Sequence, residues 1–403
     1  MYTSVISQSP LDNRERSPVT RSLSNSFLAS MPSFKRVEVH TLSTDFRKAT
    51  RIVEEKEVPT PKAGNVVVKN HYAGINPADI NFTNGVYGLS LPSGCGFEAG
   101  ASAVDHLMFL CRVLTCLYNV AVGKVYSMAS DVDGFKVGDV VFYQRKSLCS
   151  VDMTLFLPNR GWSSYSIDDG AFAEYLEVPS DKLFKHDVVD LAVLPLLISG
   201  VSGAIALDTV GEMKTNETVL VTAAAGTTGQ IVVQLAKLAG NHVIGTCGSE
   251  EKGELLKSLG CDRVVNYHTE DLGEVLKKEY PKGVDLVFET VGGKMFSDAA
   301  ANIAVHGRIV IFGFISGYQS GEPVHSFSMM DLHLKSASIR GFLMGNHRER
   351  SAPTIRKLQK LIQTKKLKVE VDPTVFQGLE SIPDAIDYMF ACKNKGKLAI
   401  KLV

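Results

Sequence analysis

Residues 218–340 alternate between short apolar runs and amphipathic stretches, and this alternation is the strongest constraint on the fold. The helical stretches include "GQIVVQLAKLAG" and "EEKGELLKSLG". The β-rich runs between them are "TVLVTA", "HVIGTC", "RVVNY", "VDLVFETV", "GRIVIFGF" and "SASIRGF". Short strands separated by amphipathic helices predict parallel strands joined by crossover helices. We therefore expect an α/β fold with a Rossmann-type doubly wound sheet, whose ligand site lies beyond the carboxyl ends of its strands.

The turn after the first of these strands has the composition of a cofactor turn. In "VLVTAAAGTTGQ", Ala224 stands where the dinucleotide fingerprint has its first glycine, and Gly226 and Gly229 follow. Gly226 would let the backbone approach a pyrophosphate, and Gly229 would let the helix pack closely on the strand. The helix N-terminus adds N–H donors and partial positive charge. At this place in a βαβ unit the motif favours a dinucleotide site over a purely structural turn.

The end of the second strand indicates which dinucleotide binds. An NAD site would place Asp or Glu there to bind the ribose hydroxyls. Here "HVIGTCGSEEK" has Gly248 and Ser249, with Lys252 shortly after. A hydroxyl, backbone N–H groups and an ammonium suit a 2′-phosphate, which a carboxylate would repel, so NADP is favoured over NAD. The alternative is that Lys252 is a solvated lysine in the first turn of a helix.

The rest of the chain differs from this segment in character. Residues 31–200 are rich in short strands and turns, and residues 341–403 are expected to return to the same β-rich domain through a helix and a closing strand, which leaves 201–340 as the nucleotide-binding domain. Residues 1–30 are rich in Ser, Arg and Asn, which favours a disordered tail over a transit peptide. We expect a cytoplasmic protein, with mitochondrial or peroxisomal location as the alternative.

Charge and cysteine content exclude several classes of function. Lys and Arg number 43, as do Asp and Glu, so that no nucleic-acid surface is indicated. Seven scattered cysteines without a CxxC pattern indicate free thiols. The most hydrophobic window, residues 101–122, is interrupted by Asp105, His106 and Arg112, and no membrane partner is expected.

A set of motifs then resembles a known family. The medium-chain dehydrogenase/reductase superfamily, in its quinone oxidoreductase branch, has similar motifs in the order "NPADIN", "GFEAG", "GFKVGD", "GAFAEY", "VTAAAGTTGQ" and "FETVGG". The resemblance implies a GroES-like catalytic domain and a Rossmann domain with a cleft between them. It implies NADPH-dependent reduction of the C=C bond of small α,β-unsaturated ketones, such as 15-oxo-prostaglandins, or of quinones. It leaves a homodimer open.

The same resemblance assigns site residues. It implies cofactor contacts at Thr228, Gly248, Lys252, Tyr267, Thr290, Phe312, Tyr318, Phe342, Leu343, Met344 and Asn394. The spacing of "GFLMGNH" departs from the family, and the family often has an aliphatic residue where Phe312 stands.

Three residues are candidates for catalysis. Tyr87 would donate a hydrogen bond to the oxygen on which enolate charge develops, and Tyr318 would hold cofactor or substrate. Asn76 would hold the nicotinamide amide. The alternative for both tyrosines is an aromatic packing residue on a loop.

Zinc is not expected in this chain. Zinc alcohol dehydrogenases bind the metal through Cys, His and an acid, and add a lobe with four cysteines for a second zinc. Asn76 stands where a cysteine ligand would be and Phe97 stands where a histidine would be, and the lobe is missing.

Two segments depart from the family pattern. Residues 101–122 and 145–168 interrupt the β-rich domain and are predicted to be insertions, with no place in its sheet. Their composition favours retained non-coding sequence over lineage-specific loops. If they block the cleft, the chain would be a catalytically impaired NADPH-binding protein of crystallin-like type, which is the alternative function.

Overall fold

The computed structural model describes residues 32–84, 119–145, 170–319 and 327–403. The strands of this part of the chain are β1 (Phe34–Val39), β2 (Thr50–Glu55), β3 (Asn65–Gly74), β4 (Asn119–Met128), β5 (Val140–Arg145), β6 (Tyr175–Pro179), β7 (Leu183–His186), β8 (Thr218–Val221), β9 (His242–Cys247), β10 (Arg263–Asn266), β11 (Val284–Glu289), β12 (Ile303–Ile311), β13 (Ser338–Gly341), β14 (Phe376–Gln377) and β15 (Ala399–Lys401). Its α-helices are α1 (Phe46–Ala49), α2 (Ala78–Thr83), α3 (Val201–Thr209), α4 (Thr227–Leu238), α5 (Glu250–Ser258), α6 (Leu272–Glu279), α7 (Gly293–Ala301), α8 (Met329–Lys335), α9 (Ser351–Gln363) and α10 (Ile382–Phe390).

A six-stranded parallel sheet forms the nucleotide-binding domain. Its strand order is β10-β9-β8-β11-β12-β13. The chain runs outward from β8 to β10 and then returns to β11 on the other side of β8. This order is that of a Rossmann-type sheet, and its switch point lies between β8 and β11. The predicted fold class is therefore confirmed.

The sheet is buried on both faces, as parallel sheets require. Val221 and Phe288 belong to the apolar cluster with α4 and α5 on one face. Ile244 and Val287 belong to the cluster with α6 and α7 on the other. The inner strand β8 accordingly has the apolar run Val219–Val221, and β11 has the apolar run Leu286–Phe288.

A second, mixed sheet of seven strands forms the GroES-like β-rich domain. Its main order is β14-β15-β3-β4-β5-β7, and β6 also pairs with β3. The closing strand β15 pairs antiparallel with β3, so that Ile400 lies opposite Ala73. The expected return of the C-terminal segment to this domain is thereby confirmed. The bounds of both domains stay a prediction.

The start of β4 corrects the predicted insertion. The strand begins at Asn119, and its residues 119–122 pair with β5 while residues 120–122 pair with β3. Val120 and Val122 are fully buried. The expectation that residues 101–122 and 145–168 have no place in the sheet is therefore wrong for residues 119–122 and for Arg145, which ends β5 opposite Asn119. Residues 101–118 and 146–168 lie outside the described residues, as does the tail of residues 1–30.

One helical run among the described residues is apolar and long enough to cross a membrane by composition. It spans Leu191–Thr209, and 72% of its most apolar window is buried inside the protein. Its side chains pack on those of α9 and β4, among them Ile355 and Val122. This run is part of the protein core.

A buried ion pair joins β12 to the residue that directly precedes β8. Arg308 of β12 contacts both carboxylate oxygens of Glu217 at 2.8 and 2.9 Å, and its Nε donates to the Gly211 carbonyl at 2.8 Å. Both side chains are about 90% shielded from solvent. The guanidinium therefore neutralises a carboxylate that would otherwise be buried alone.

We predict that Arg308→Met lowers the free energy of unfolding by about 3–5 kcal/mol, because it leaves the Glu217 carboxylate buried and uncompensated. The double variant Arg308→Met/Glu217→Met should recover more than half of this loss, since no isolated charge remains. Urea denaturation of both variants measures the difference. Equal stability of the two variants would contradict this account.

A pair of deletions tests the corrected boundary. We expect deletion of residues 101–118 to keep the fold and to raise soluble yield, because a change of loop length costs little closure entropy. Deletion of residues 101–122 should unfold the protein, since it also removes Val120 and Val122 from the core. Thermal denaturation and soluble yield distinguish the two. A folded product of the longer deletion would show that the first half of β4 is dispensable.

Candidate active site

The crevice between β8 and β11 is built on two threonines. The Thr290 N–H donates to Thr222 Oγ1 at 2.8 Å, and Thr290 Oγ1 donates to the Thr222 carbonyl at 3.1 Å. Each threonine follows the last residue of its strand. These bonds hold the two strand ends together at the switch point, where a doubly wound sheet binds its ligand. Thr290, one of the predicted cofactor residues, therefore lies in the expected crevice.

The turn between β8 and α4 tolerates alanine at position 224 but requires glycine at position 229. Ala223 adopts φ +45°, so that the left-handed residue comes one position before the replaced glycine. The Ala224 N–H donates to the Thr246 carbonyl at 3.0 Å. A Cβ on Gly229 would lie 2.6 Å from both Cα and O of Ala224, so the close packing of the α4 helix on the turn requires glycine there. Gly226 forms the N-cap of α4, and Thr228 lies in its first turn.

The predicted 2′-phosphate residues cluster at the end of β9. Ser249 caps α5 by accepting from the Lys252 N–H at 3.3 Å, and Lys252 Nζ donates to the Cys392 carbonyl at 2.6 Å. The Tyr267 hydroxyl lies directly over Gly248. Partial burial raises the pKa of the Tyr267 phenol. The described residues thus bring Gly248, Ser249, Lys252 and Tyr267 together.

Asn394 belongs to a segment that meets this cluster from the β-rich domain. Its Nδ2 donates to the Gly396 carbonyl at 3.0 Å. Lys395 forms an ion pair with Glu251 of α5. Residues 391–396 are therefore tied to α5 by Lys395 and by the carbonyl of Cys392, both close to Asn394.

Aromatic side chains form a stack beyond β12. The Phe312 ring lies parallel to that of Phe342 with centroids 5.5 Å apart, and Phe342 stacks in turn on His347 at 5.3 Å. Phe342 and Met344 also pack against the core of the β-rich domain. The run from Phe342 through Leu343 to Met344 thus spans both domains. His347 was not singled out from the sequence, because its place in the stack depends on the folded chain.

Tyr318 connects the two domains through its backbone. Its carbonyl accepts from Asn84 Nδ2 at 3.2 Å. Its ring meets Phe314 edge-on with centroids 5.1 Å apart, and only 8% of the residue is exposed. A contact with cofactor or substrate stays a prediction for this residue. Tyr87 and Phe97 lie outside the described residues.

Asn76 is held between two buried charged residues that sequence reasoning missed. Its backbone N–H donates to Asp79 Oδ2 at 2.8 Å, and its Oδ1 accepts from Lys397 Nζ at 2.5 Å. Burial raises the pKa of Asp79 well above its ordinary value, and burial lowers the pKa of Lys397 to about 8. Asp79 stands within the motif "NPADIN" but was not singled out. Lys397 is distant in sequence and was considered only as part of the closing strand.

Glu289 is a second buried carboxylate that the sequence did not mark. It ends β11 beside Thr290, and its Oε1 accepts from the N–H groups of Val291 and Gly292 at 2.7 and 2.6 Å. Burial raises the pKa of this carboxyl. Glu289 therefore shapes the loop that follows Thr290 at the crevice.

The residues around Asn76 do not fit a zinc ion. The Lys397 ammonium contacts Asn76 at the position where the zinc enzymes have a cysteine ligand, and a second cation there would be repelled. Within residues 32–84, 119–145, 170–319 and 327–403, no group of three or more His, Cys, Asp or Glu side chains is placed to hold a metal.

Comparison with known proteins gives matches along most of the chain. The family described as "Zinc-binding dehydrogenase" matches residues 227–360. A probable quinone oxidoreductase from Leishmania amazonensis is 38% identical over 389 residues, which is 93% of this chain and 100% of that protein. Prostaglandin reductase-3 from Mus musculus is 37% identical over 383 residues, which is 92% of this chain and 90% of that protein.

These identities over nearly full lengths decide the family. The chain belongs to the quinone oxidoreductase branch of the medium-chain dehydrogenase/reductase superfamily. Escherichia coli quinone oxidoreductase complexed with NADPH has the same fold, with a TM-score of 0.68, 24% identity and coverage of 91% of this chain and 100% of that one. The family resemblance found in the sequence is confirmed. The description of this family names zinc, but the residues around Asn76 in this chain do not suit a zinc ion.

The geometry at β9 predicts how the reductase distinguishes its cofactors. We expect Lys252→Ala to weaken NADPH binding about tenfold or more, because a charge-assisted contact with the 2′-phosphate is lost. NADH binding should change less than about twofold. Fluorescence titration of both cofactors measures this. Lys257→Ala on the same helix is the control, since Lys257 pairs with Glu254 at the surface. Equal losses for both cofactors would mean that Lys252 does not bind the phosphate.

Proposed function

We propose that this protein is a zinc-independent, NADPH-dependent reductase of the C=C bond of α,β-unsaturated ketones, with quinones as the second substrate class. The observation that carries the proposal is the end of β9, where Gly248, Ser249 and Lys252 replace the acidic residue of an NAD site. Membership of the quinone oxidoreductase branch supports the reaction class. The similarity to prostaglandin reductase-3 supports a conjugated ketone as substrate.

The described residues divide into two ends of one cofactor site. The N-terminus of α4, after Gly226, offers N–H groups to the pyrophosphate. Lys252 and Ser249 would bind the 2′-phosphate, with Tyr267 and Asn394 beside the adenosine. Thr290, the stacked Phe312 and Phe342, and Asn76 would hold the nicotinamide end. NADPH supplies a hydride when it is bound.

Reduction of an enone develops negative charge on its carbonyl oxygen. A neutral donor aimed at that oxygen is worth about two to three powers of ten in rate. Tyr87 is the proposed donor, either directly or through the cofactor ribose. No metal step enters this mechanism.

Oxidation of NADPH in the presence of a panel of small enones and quinones tests the function. The panel includes but-3-en-2-one, a 15-oxo-prostaglandin and 1,4-benzoquinone. We expect turnover with an enone and none with the saturated ketone. Tight NADPH binding without turnover of any compound would contradict the proposal and assign the protein as the crystallin-like, non-catalytic alternative.

The metal-free mechanism makes a further prediction. Prolonged chelation should leave enone reduction intact. Tyr87→Phe should lower kcat about a hundredfold while NADPH affinity stays within about twofold, because the donor acts mainly on the transition state. Tyr126→Phe, at an exposed position of β4, is the matched control. Loss of activity with chelator, or normal turnover of Tyr87→Phe, would rule out this mechanism.

A further inference from the structure

Two charged side chains are buried in the β-rich domain without a part in the mechanism above. Lys397 is 1% exposed and Asp79 is fully buried. Taking a charge out of water costs several kcal/mol, and an apolar side chain of the same size could fill either place. Both contact the same residue, Asn76.

The ammonium of Lys397 has a fixed position. Its Nζ donates to the Ile75 carbonyl at 2.9 Å and to Asn76 Oδ1 at 2.5 Å. Its own backbone is held on both sides, because its N–H donates to the Glu370 carbonyl and its carbonyl accepts from the Asp372 N–H. A Cβ on Gly74 would lie 2.7 Å from Lys397 Cε, so the glycine makes room for the lysine side chain.

Asp79 fixes the backbone of the same asparagine. Its Oδ2 accepts from the Asn76 N–H at 2.8 Å. The opposite charges of Asp79 and Lys397 attract each other and offset part of their burial cost. Asn76 is thus held at its main chain by the carboxyl group of Asp79 and at its side chain by the amino group of Lys397.

This arrangement selects one orientation of the Asn76 amide. An ammonium group can only donate hydrogen bonds, so it requires the amide oxygen rather than the amide nitrogen. Nδ2 is therefore turned to the opposite side, where one of its two N–H groups donates to the Gly74 carbonyl at 3.3 Å. In this orientation the amide presents Nδ2, a donor, on the side away from Lys397.

Asn76 lies two residues before α2, a helix that contacts the Rossmann domain. Asn84, which caps the other end of that helix, donates to the Tyr318 carbonyl. The helix therefore borders the cleft in which the proposed function places the nicotinamide.

We infer that Lys397 and Asp79 are positioning residues that fix Asn76 as a hydrogen-bond donor to the carboxamide oxygen of the nicotinamide. The inference rests on the proposed function for the cofactor. It adds two residues and a direction to the contact: the asparagine donates and the nicotinamide carbonyl accepts.

A pair of ligands separates this role from a structural one. Lys397→Met should weaken NADPH binding about fivefold to tenfold, while binding of 2′,5′-ADP, which lacks the nicotinamide, stays unchanged. Isothermal titration with both ligands measures this, and Lys401→Met in the same closing segment is the control. Equal weakening of both ligands, or of neither, would overturn the inference.

A double-mutant cycle then tests whether Lys397 acts through Asn76. Lys397→Met and Asn76→Ala should each lower kcat/KM about tenfold. The double variant should lose little more than either one, because both single variants and the double variant lose the same contact between Asn76 and the nicotinamide. Additive losses would mean that Lys397 acts independently of Asn76, and the inference would fail.

Asn76→Asp serves if Lys397→Met does not fold. It keeps an oxygen for Lys397 and replaces the N–H donor by an acceptor of the same size. We expect an unchanged affinity for 2′,5′-ADP and NADPH binding weakened about tenfold. Normal NADPH affinity would overturn the donor assignment. A wild type that binds NADPH but reduces no enone or quinone contradicts the proposed function alone, since the two binding comparisons still decide the role of Lys397.

Discussion

The parallel pairing of β8 with β11 is the constraint on which the rest of the molecule depends. It places Thr222 and Thr290 side by side at the carboxyl edge of the sheet, where they bond to each other through side chain and backbone. The other parts of the candidate site lie around this crevice. The glycine turn opens α4 beside it, and Glu289 shapes the loop that follows it.

The second domain completes the site through a few contacts of different chemistry. Beyond β9, Lys252 bonds to the Cys392 carbonyl and Glu251 pairs with Lys395. At the other end, Phe342 packs into both cores. A ligand that spans the crevice therefore meets polar groups at one end and aromatic side chains at the other, which suits a dinucleotide with a charged phosphate and a flat nicotinamide ring.

The buried lysine explains how one fold can serve with a metal or without one. Zinc enzymes place a cation next to the substrate and coordinate it with cysteine and histidine. Here a cation is also buried at this place, but it is covalently part of the chain and bonds to Asn76. In the proposed mechanism, an asparagine held in this way orients a ligand, and a separate donor binds the enolate oxygen.

The sequence alone determined the features that arise within a short stretch of chain. Strand and helix periodicity predicted the Rossmann-type sheet. The motif of Ala224, Gly226 and Gly229 predicted the close approach of helix and turn that requires glycine at position 229. The neutral end of β9 is equally local. Tertiary structure decided what depends on distant segments: Lys397 meets Asn76 across 321 positions of sequence, and β15 reaches β3 only in the folded domain. The start of β4 at Asn119 was missed for the same reason, because a run such as "NVAV" is apolar both in an insertion and in a core strand, and only its pairing with β3 and β5 distinguishes the two.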